Sequence, residues 1–245
     1  MRVAVISDIH ANLAAFDAVV ADWGGVDAVW SLGDVVGYGP DPVECIERLC
    51  ALPSVGIAGN HDWAAIGRVD PATFNPAAAE AIAWTSRQLT PAARAYLEEL
   101  PSIREDDEYT LAHGSPRDPI WEYLLGPTAA WENFAAFTGV VCFIGHSHRP
   151  LAFTLEPHAR DGPSDVHSEP LHYAETALGN RRHLINVGSV GQPRDHDPAA
   201  RYVILDTERR VYERRRVEYP IEKTQQRMLD LGLPSVLATR LSSGR

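Results

Sequence analysis

A chain of 245 residues, 45% hydrophobic and 22% charged, has enough apolar material for a substantial core and lies far from the disordered class. Its formal net charge of −11 speaks against a general basic surface for nucleic-acid backbones or anionic membranes, so nonspecific nucleic-acid binding is not expected. Cys45, Cys50 and Cys142 are odd in number and lack paired spacing, which suggests neither a disulfide framework nor a thiolate zinc site and fits a reducing compartment.

The first apolar run, Val3 to Ile6, reads as a buried strand. Asp8 and His10 interrupt it well before a signal-peptide core could form, and no segment reaches the apolar length of a membrane span, so cytoplasmic residence is expected. Further strands are expected at Val26 to Leu32, Ser54 to Ala58, Tyr109 to Ala112 and Val140 to Ile144. Amphipathic stretches at Asn12 to Asp22 and Asp41 to Leu52 read as helices, the second opening on Asp-Pro. Strand and helix in alternation imply parallel βαβ units. Asn75 to Leu100 is rich in Ala, Glu, Leu and Arg and is divided at Thr90-Pro91 into two helices, giving a helical insertion over residues 64–100 beside the sheet.

Beyond Arg149 the pattern becomes strand-like, at Leu151 to Leu155, His183 to Val187, Tyr202 to Asp206 and Val211 to Val217, so this half is expected to be antiparallel or mixed. Pro157 to Pro170, rich in proline and polar residues, reads as a surface loop. Arg214-Arg215-Arg216 reads as a solvated strand end, with a phosphate or partner contact as the minority option. Residues 220–241 read as one or two helices serving packing or dimerisation rather than catalysis, and residues 1–245 are expected to form a single domain.

Residues able to carry chemistry recur just past strand ends. Asp8 and His10, spaced by two, share a face of an extended chain and can grip one metal ion, although a turn-capping Asp beside a surface His would explain the pair alone. Asp34 lies between Gly33 and Gly37 at the end of the second strand. Asn60, His61 and Asp62 follow the third, His113 the fourth, and His146 and His148 the fifth. Functional groups of open α/β sheets collect at this edge, and Asp, Asn and His together form a mixed oxygen and nitrogen ligand set for two divalent cations. Leu13, Val35, Tyr38 and Trp63 adjoin these motifs but read as core residues.

In order, Asp8-x-His10, Gly33-Asp34-x-x-Gly37, Gly59-Asn60-His61-Asp62, His113 and Gly145-His146-x-His148 resemble the full signature of the calcineurin-like metallophosphoesterases. Gly33 to Pro42 and Asn186 to Asp195 further resemble a compact bacterial and archaeal subgroup of these phosphoesterases. The resemblance implies an α/β fold, a four-layer α/β/β/α sandwich with two mixed β-sheets. It implies one cation on Asp8, His10, Asp34 and His148 and another on Asp34, Asn60, His113 and His146, with Asp34 bridging. Mn²⁺ is the foremost expectation, with Fe or Zn²⁺ as alternatives. The implied reaction is hydrolysis of a phosphodiester or phosphomonoester by a metal-bound hydroxide. His61 would protonate the leaving group or stabilise the phosphate, unless its role is packing only, and Asp62 would orient it.

Asn60 and His61 are expected to touch substrate. Arg194 can either reach its phosphate by a bidentate contact or tie the Asn186 to Asp195 loop down in a salt bridge. The expected partner is a small phosphorylated compound, a nucleotide among the options. A non-catalytic scaffold of the same fold and a protein serine/threonine phosphatase are the competing readings, while the His-x-His-x-Asp-His cluster of metallo-β-lactamase-like hydrolases is absent.

Overall fold

The computed structural model describes residues 1–157, 162–169 and 172–245. The first half runs β1 (Arg2–Ile6), α1 (Leu13–Asp22), β2 (Ala28–Ser31), α2 (Pro42–Cys50), β3 (Ser54–Gly56), α3 (Asn60–Ala65), α4 (Pro76–Gln88), α5 (Pro91–Glu99), β4 (Ile103–Glu105) and β5 (Tyr109–Ala112). It continues through α6 (Pro127–Phe134), β6 (Val141–Ile144), β7 (Leu151–Leu155), β8 (Val166–Ser168), β9 (Thr176–Ala177), β10 (Arg182–Asn186), β11 (Ala200–Asp206), β12 (Val211–Val217), α7 (Ile221–Asp230) and α8 (Ser235–Leu241).

Alternate residues of β1 are buried on opposite faces: Val3 and Val5 join one apolar cluster, Ala4 and Ile6 another. A strand buried on both sides needs cover on both sides. One cover is the face of α1 and α2, through Phe16, Val19, Ile46 and Leu49. The other is a second sheet, whose Tyr109, Leu111, Phe143 and Ile185 meet Val3, Val5 and Trp30. In β6 the alternation repeats: Val141 and Phe143 face the first sheet, while Cys142 and Ile144 pack under Ala130 and Phe134 of α6. Helix, sheet, sheet and helix are thus stacked in four layers, as expected.

Both sheets are mixed and six-stranded, in the orders β3-β2-β1-β11-β12-β9 and β4-β5-β6-β10-β7-β8. β1, β2 and β3 are parallel, as are β5, β6 and β10, and the remaining pairings are antiparallel. The carboxyl ends of β1, β2, β5 and β6 therefore deliver the loops that carry the motifs. Helix starts follow local chemistry: Asn12, Asn75 and Thr90 accept from the main-chain N–H three residues on, and Pro42, Pro76 and Pro91 occupy first-turn positions.

Several expectations shift. β3 ends at Gly56, and Asn60 already opens α3, so the third motif lies on a helix start rather than past a longer strand. The expected loop from Pro157 to Pro170 contains a short 3₁₀ turn at Pro163–Asp165 and β8, paired with β7; its residues 158–161 and 170 lie outside the described residues. Arg214 is not solvated, since β12 turns it inward against Glu169, whereas Arg215 and Arg216 reach Glu213 and Asp197 nearer the surface. Among the described residues no helix is long and apolar enough to cross a membrane.

Candidate metal centre and its cavity

Past β1, β2 and β6 the chain turns on residues in the left-handed region. Asp8 (φ 54°), His10 (48°), Asp34 (51°), His146 (62°) and His148 (56°) are all non-glycine residues with positive φ. Such backbone costs on the order of 1 kcal/mol or more per residue and gathers at functional sites, Asp and His tolerating it better than most side chains. Glycine makes the turns possible where chains nearly touch. A Cβ on Gly33 (φ +89°) would meet Gly59 N at 2.4 Å, and one on Gly59 would meet Asp34 Oδ1 at 2.0 Å.

These turns bring all seven expected metal ligands together, each at least nine-tenths buried. Asp8, His10 and His148 form one group able to hold a metal ion, and Asp34, His113 and His146 another; within each, the ligand atoms lie within 4.8 Å of one another. Asn60 adds Oδ1 at 3.1 Å from His113 Nε2. A third group joins His10 and Asp34 to His61, which the sequence did not suggest as a ligand.

The donor set points inward. Each imidazole has one nitrogen on a main-chain carbonyl: His10 Nδ1 on Val36 at 3.2 Å, His113 Nδ1 on Leu32 at 2.8 Å, His146 Nε2 on Trp121 at 3.2 Å, and His148 Nδ1 on Gln192. A neutral ring that donates there presents a lone pair from its other nitrogen. Those nitrogens then face each other at 3.1 Å, both between His10 and His148 and between His113 and His146. Two acceptors so close repel unless a cation or proton lies between them.

The carboxylates repeat the pattern. Asp8 Oδ2 accepts from His146 N at 3.1 Å and Asp34 Oδ1 from His61 N at 2.8 Å, while Asp8 Oδ1 and Asp34 Oδ2 are buried without a hydrogen-bond partner. Asp34 Oδ2 lies 3.3 Å from His113 Nε2 and 3.6 Å from His10 Nε2, between the two groups. Orphaned carboxylate oxygens and opposed lone pairs are what a site for divalent cations presents, so the residues fit such ions.

Electrostatics agree. Burial opposes the charged form of Asp8 and Asp34, but the surrounding imidazoles outweigh it and hold both carboxyls below the usual range. Burial also opposes protonation of His113, yet the Asp34 carboxylate lifts it to about 9: without a metal, a proton takes the cation's place. Burial pushes His146 down to about 3 and, aided by Arg194, His61 down to about 4.

Asp62 corrects an expectation. Its oxygens accept from Val36 N at 3.1 Å and Gly59 N at 3.0 Å, and neither meets the His61 ring, whose Nδ1 is buried without a hydrogen-bond partner. It ties the loop after β2 to the start of α3 and so positions Asp34 and Asn60 rather than orienting His61. Burial and Asp34 raise its carboxyl to about 7.

Above the cluster opens a cavity of about 340 Å³. Asp34, Asn60, His61, His146 and His148 line its metal side. The His61 ring packs 4.3 Å from Tyr38 and 4.9 Å from Phe74, centre to centre. Tyr38, expected in the core, is both 5% exposed and a cavity-lining residue. Arg194 lines the cavity too; its guanidinium donates to Gln192 Oε1 at 2.8 Å and Tyr38 Oη at 3.3 Å. Among the described residues no carboxylate lies within ion-pair distance of it, so Arg194 makes no loop-tying salt bridge; Asp195 of the same loop pairs with Arg201. Asn186, through Gly145 O and Ser147 Oγ, and Gln192, through His148, hold that loop against the last motif instead.

Trp121, Tyr123 and Arg240 complete the wall. The Tyr123 ring stacks on His146 at 4.1 Å. None of the three carried a sequence signal: the aromatics lie in an irregular stretch before α6, and Arg240 arrives on α8, which was expected to serve packing or dimerisation rather than catalysis.

Comparison with known proteins places this arrangement. Residues 1–210 match the family model of the calcineurin-like phosphoesterase superfamily domain. An uncharacterized protein of Methanocaldococcus jannaschii is 37% identical over 250 residues, spanning 99% of this chain and 98% of that protein. The crystal structure of a metallophosphoesterase from Sphaerobacter thermophilus matches with a TM-score of 0.89 at 44% identity, covering 100% of this chain and 99% of that one. A hypothetical protein from Pyrococcus horikoshii OT3 shares the fold at a TM-score of 0.77 and 20% identity, over 100% of this chain and 98% of that one.

Proposed function

The chain belongs to the calcineurin-like phosphoesterase superfamily, and on that premise we propose that it hydrolyses a small phosphodiester or phosphomonoester with two divalent cations. The observation that carries this reading is the inward-facing donor set, with Asp34 Oδ2 unpartnered between two groups of imidazole nitrogens. One cation would be held by Asp8, His10, Asp34 and His148, and the other by Asp34, Asn60, His113 and His146. When bound, such a pair supplies charge neutralisation at phosphoryl oxygens and lowers the pKa of water.

The protein's own groups do the rest. Asp34, whose charged Oδ2 lies between the two groups of imidazoles, would offset the mutual repulsion of two cations held there. The main-chain carbonyls behind the imidazoles each accept from one ring nitrogen, which fixes the tautomer and aims the other nitrogen into the cluster. His61, neutral in the free protein, offers an N–H to the leaving-group oxygen; a bound phosphate beside it favours its protonated form and so the transfer of a proton. Arg194, free of carboxylates, is available for phosphate oxygens, and Asn60 lies where ligand set and substrate meet. A cavity of about 340 Å³ suits a small molecule better than a peptide segment.

The ligand types suit Mn²⁺, Fe and Zn²⁺, and Mn²⁺ is the first to test. Stripping metal with a chelator should bring cleavage of bis(p-nitrophenyl) phosphate and p-nitrophenyl phosphate to background, and Mn²⁺ should restore it. Two tightly bound metals with no turnover of either compound would favour the non-catalytic scaffold.

A further inference from the structure

The cavity holds more positive charge than a single phosphoryl group needs. Arg194 donates only to neutral oxygens, those of Gln192 and Tyr38, and its Nε is buried with no partner. Arg240 shares the cavity wall from α8, half-buried, and its Nε donates to the main-chain oxygen of Arg245. Among the described residues, no Asp or Glu side chain lies within ion-pair distance of either guanidinium. Other arginines meet carboxylates, as Arg201 does Asp195 and Asp197 and Arg214 does Glu169, or carry their donors on main-chain carbonyls, as Arg182 does on Phe134 and Gly139; Arg194 differs in facing the cavity with its Nε buried and unpartnered.

The two guanidiniums also feel each other. Burial, and after it the charge of Arg194, disfavours the protonated form of Arg240. Like charges kept together in a half-enclosed space are destabilising, and an arriving anion relieves both the repulsion and the unmet Nε donor of Arg194. Guanidinium forks match phosphate oxygens in geometry as well as charge. The metal cluster lies in the same cavity, on the side lined by Asp34, His146 and His148.

We infer that Arg194 and Arg240 form a second anion subsite that takes a phosphate neighbouring the one at the metal centre, so that the substrate carries at least two phosphate groups. The inference rests on the reading that the metal centre takes the scissile phosphoryl group. It assigns α8 a part in substrate selection, with Arg240 supplied from a position more than two hundred residues after Asp8.

Binding tests this without relying on turnover. Inorganic phosphate and inorganic pyrophosphate are titrated calorimetrically into the Mn²⁺-loaded protein freed of excess metal, with metal content checked afterwards. The wild-type protein should bind pyrophosphate at least about tenfold more tightly than phosphate. In Arg240→Gln, and separately in Arg194→Gln, that ratio should fall toward one. A wild-type ratio near one overturns the inference on its own, with no variant needed. So does an undiminished ratio in both variants, which would show that the metals alone grip the second phosphate. Failure of the loaded protein to bind either anion overturns the inference together with the metal-centre reading beneath it.

Discussion

In the candidate metal cluster every side chain is at least nine-tenths buried and every imidazole is held from behind by a main-chain carbonyl; elsewhere in the same cavity Trp121 is 38% and Tyr123 51% exposed, and among the described residues no Asp or Glu pairs with Arg194 or Arg240. The first region comes from strand ends of two packed sheets, the second from irregular chain and from α8. The difference separates chemistry from choice: groups that must hold a geometry are fixed by the core, and groups that meet a varied part of the substrate are placed where packing constrains them least.

The comparison breaks most sharply at Asp34. Asp34→Asn keeps the shape but removes the negative charge shared between the two cations, and it should weaken metal binding by more than about 100-fold, with turnover falling at least as far. Metal analysis after gel filtration, alongside rates on bis(p-nitrophenyl) phosphate, reads both. Near-normal metal content would show that the buried cluster is not the centre proposed.

His61 stands where the two regions meet. His61→Ala should lower the rate by about 10² to 10⁴ while both metals stay bound, the mark of a group that acts on the substrate. If metal is lost with the ring, His61 belongs with His10 and Asp34 as a ligand, and the fixed region is larger than drawn here.

A smaller effect concerns pH in the chelated protein. His61 and His146 are held at about 4 and about 3 in the fold, against an ordinary 6.5. Depressed values mean that the unfolded chain takes up protons first, so their stabilising contribution is complete above about pH 6.5 and drains away as pH falls toward 3. His113, raised to about 9, works in the other direction: its contribution is complete below about 6.5 and is lost as pH climbs through 9. The melting temperature of chelated protein should therefore peak near neutral pH, and His61→Ala should flatten the acid limb by a few kcal/mol at most. An acid limb unchanged in that variant would mean that His61 does not stay neutral in the fold.

How much could be read beforehand follows the same division. Asp8, His10, Asp34, Asn60, His113, His146 and His148 lie in short motifs because each follows closely on a strand end or, for Asn60, opens a helix, and local pattern records local structure. All five early strands expected from the sequence, the third shorter than expected, and both early helices were legible for the same reason. Arg240 was not, since only the tertiary path of α8 brings it to the cavity. Tyr38 was assigned to the core and does pack there, but one ring can face two ways. The role of Asp62 depends on which main-chain N–H groups approach it, which spacing does not encode. β4, β8 and β9 escaped notice because strands of two or three partly exposed residues owe their existence to a neighbour's edge rather than to an alternation of their own.

The left-handed turns at Asp8, His10, Asp34, His146 and His148 are tied into the protein's own hydrogen bonds: Asp8 Oδ2 accepts from His146 N, Asp34 Oδ1 from His61 N, and Asn186 donates to Gly145 O. The same feature narrows what mutation can explore. At these five positions glycine is the residue the backbone accepts most readily, and glycine has no side chain with which to bind a metal. Conformational ease and coordination pull in opposite directions there, so variation within such a centre is channelled into the surrounding wall.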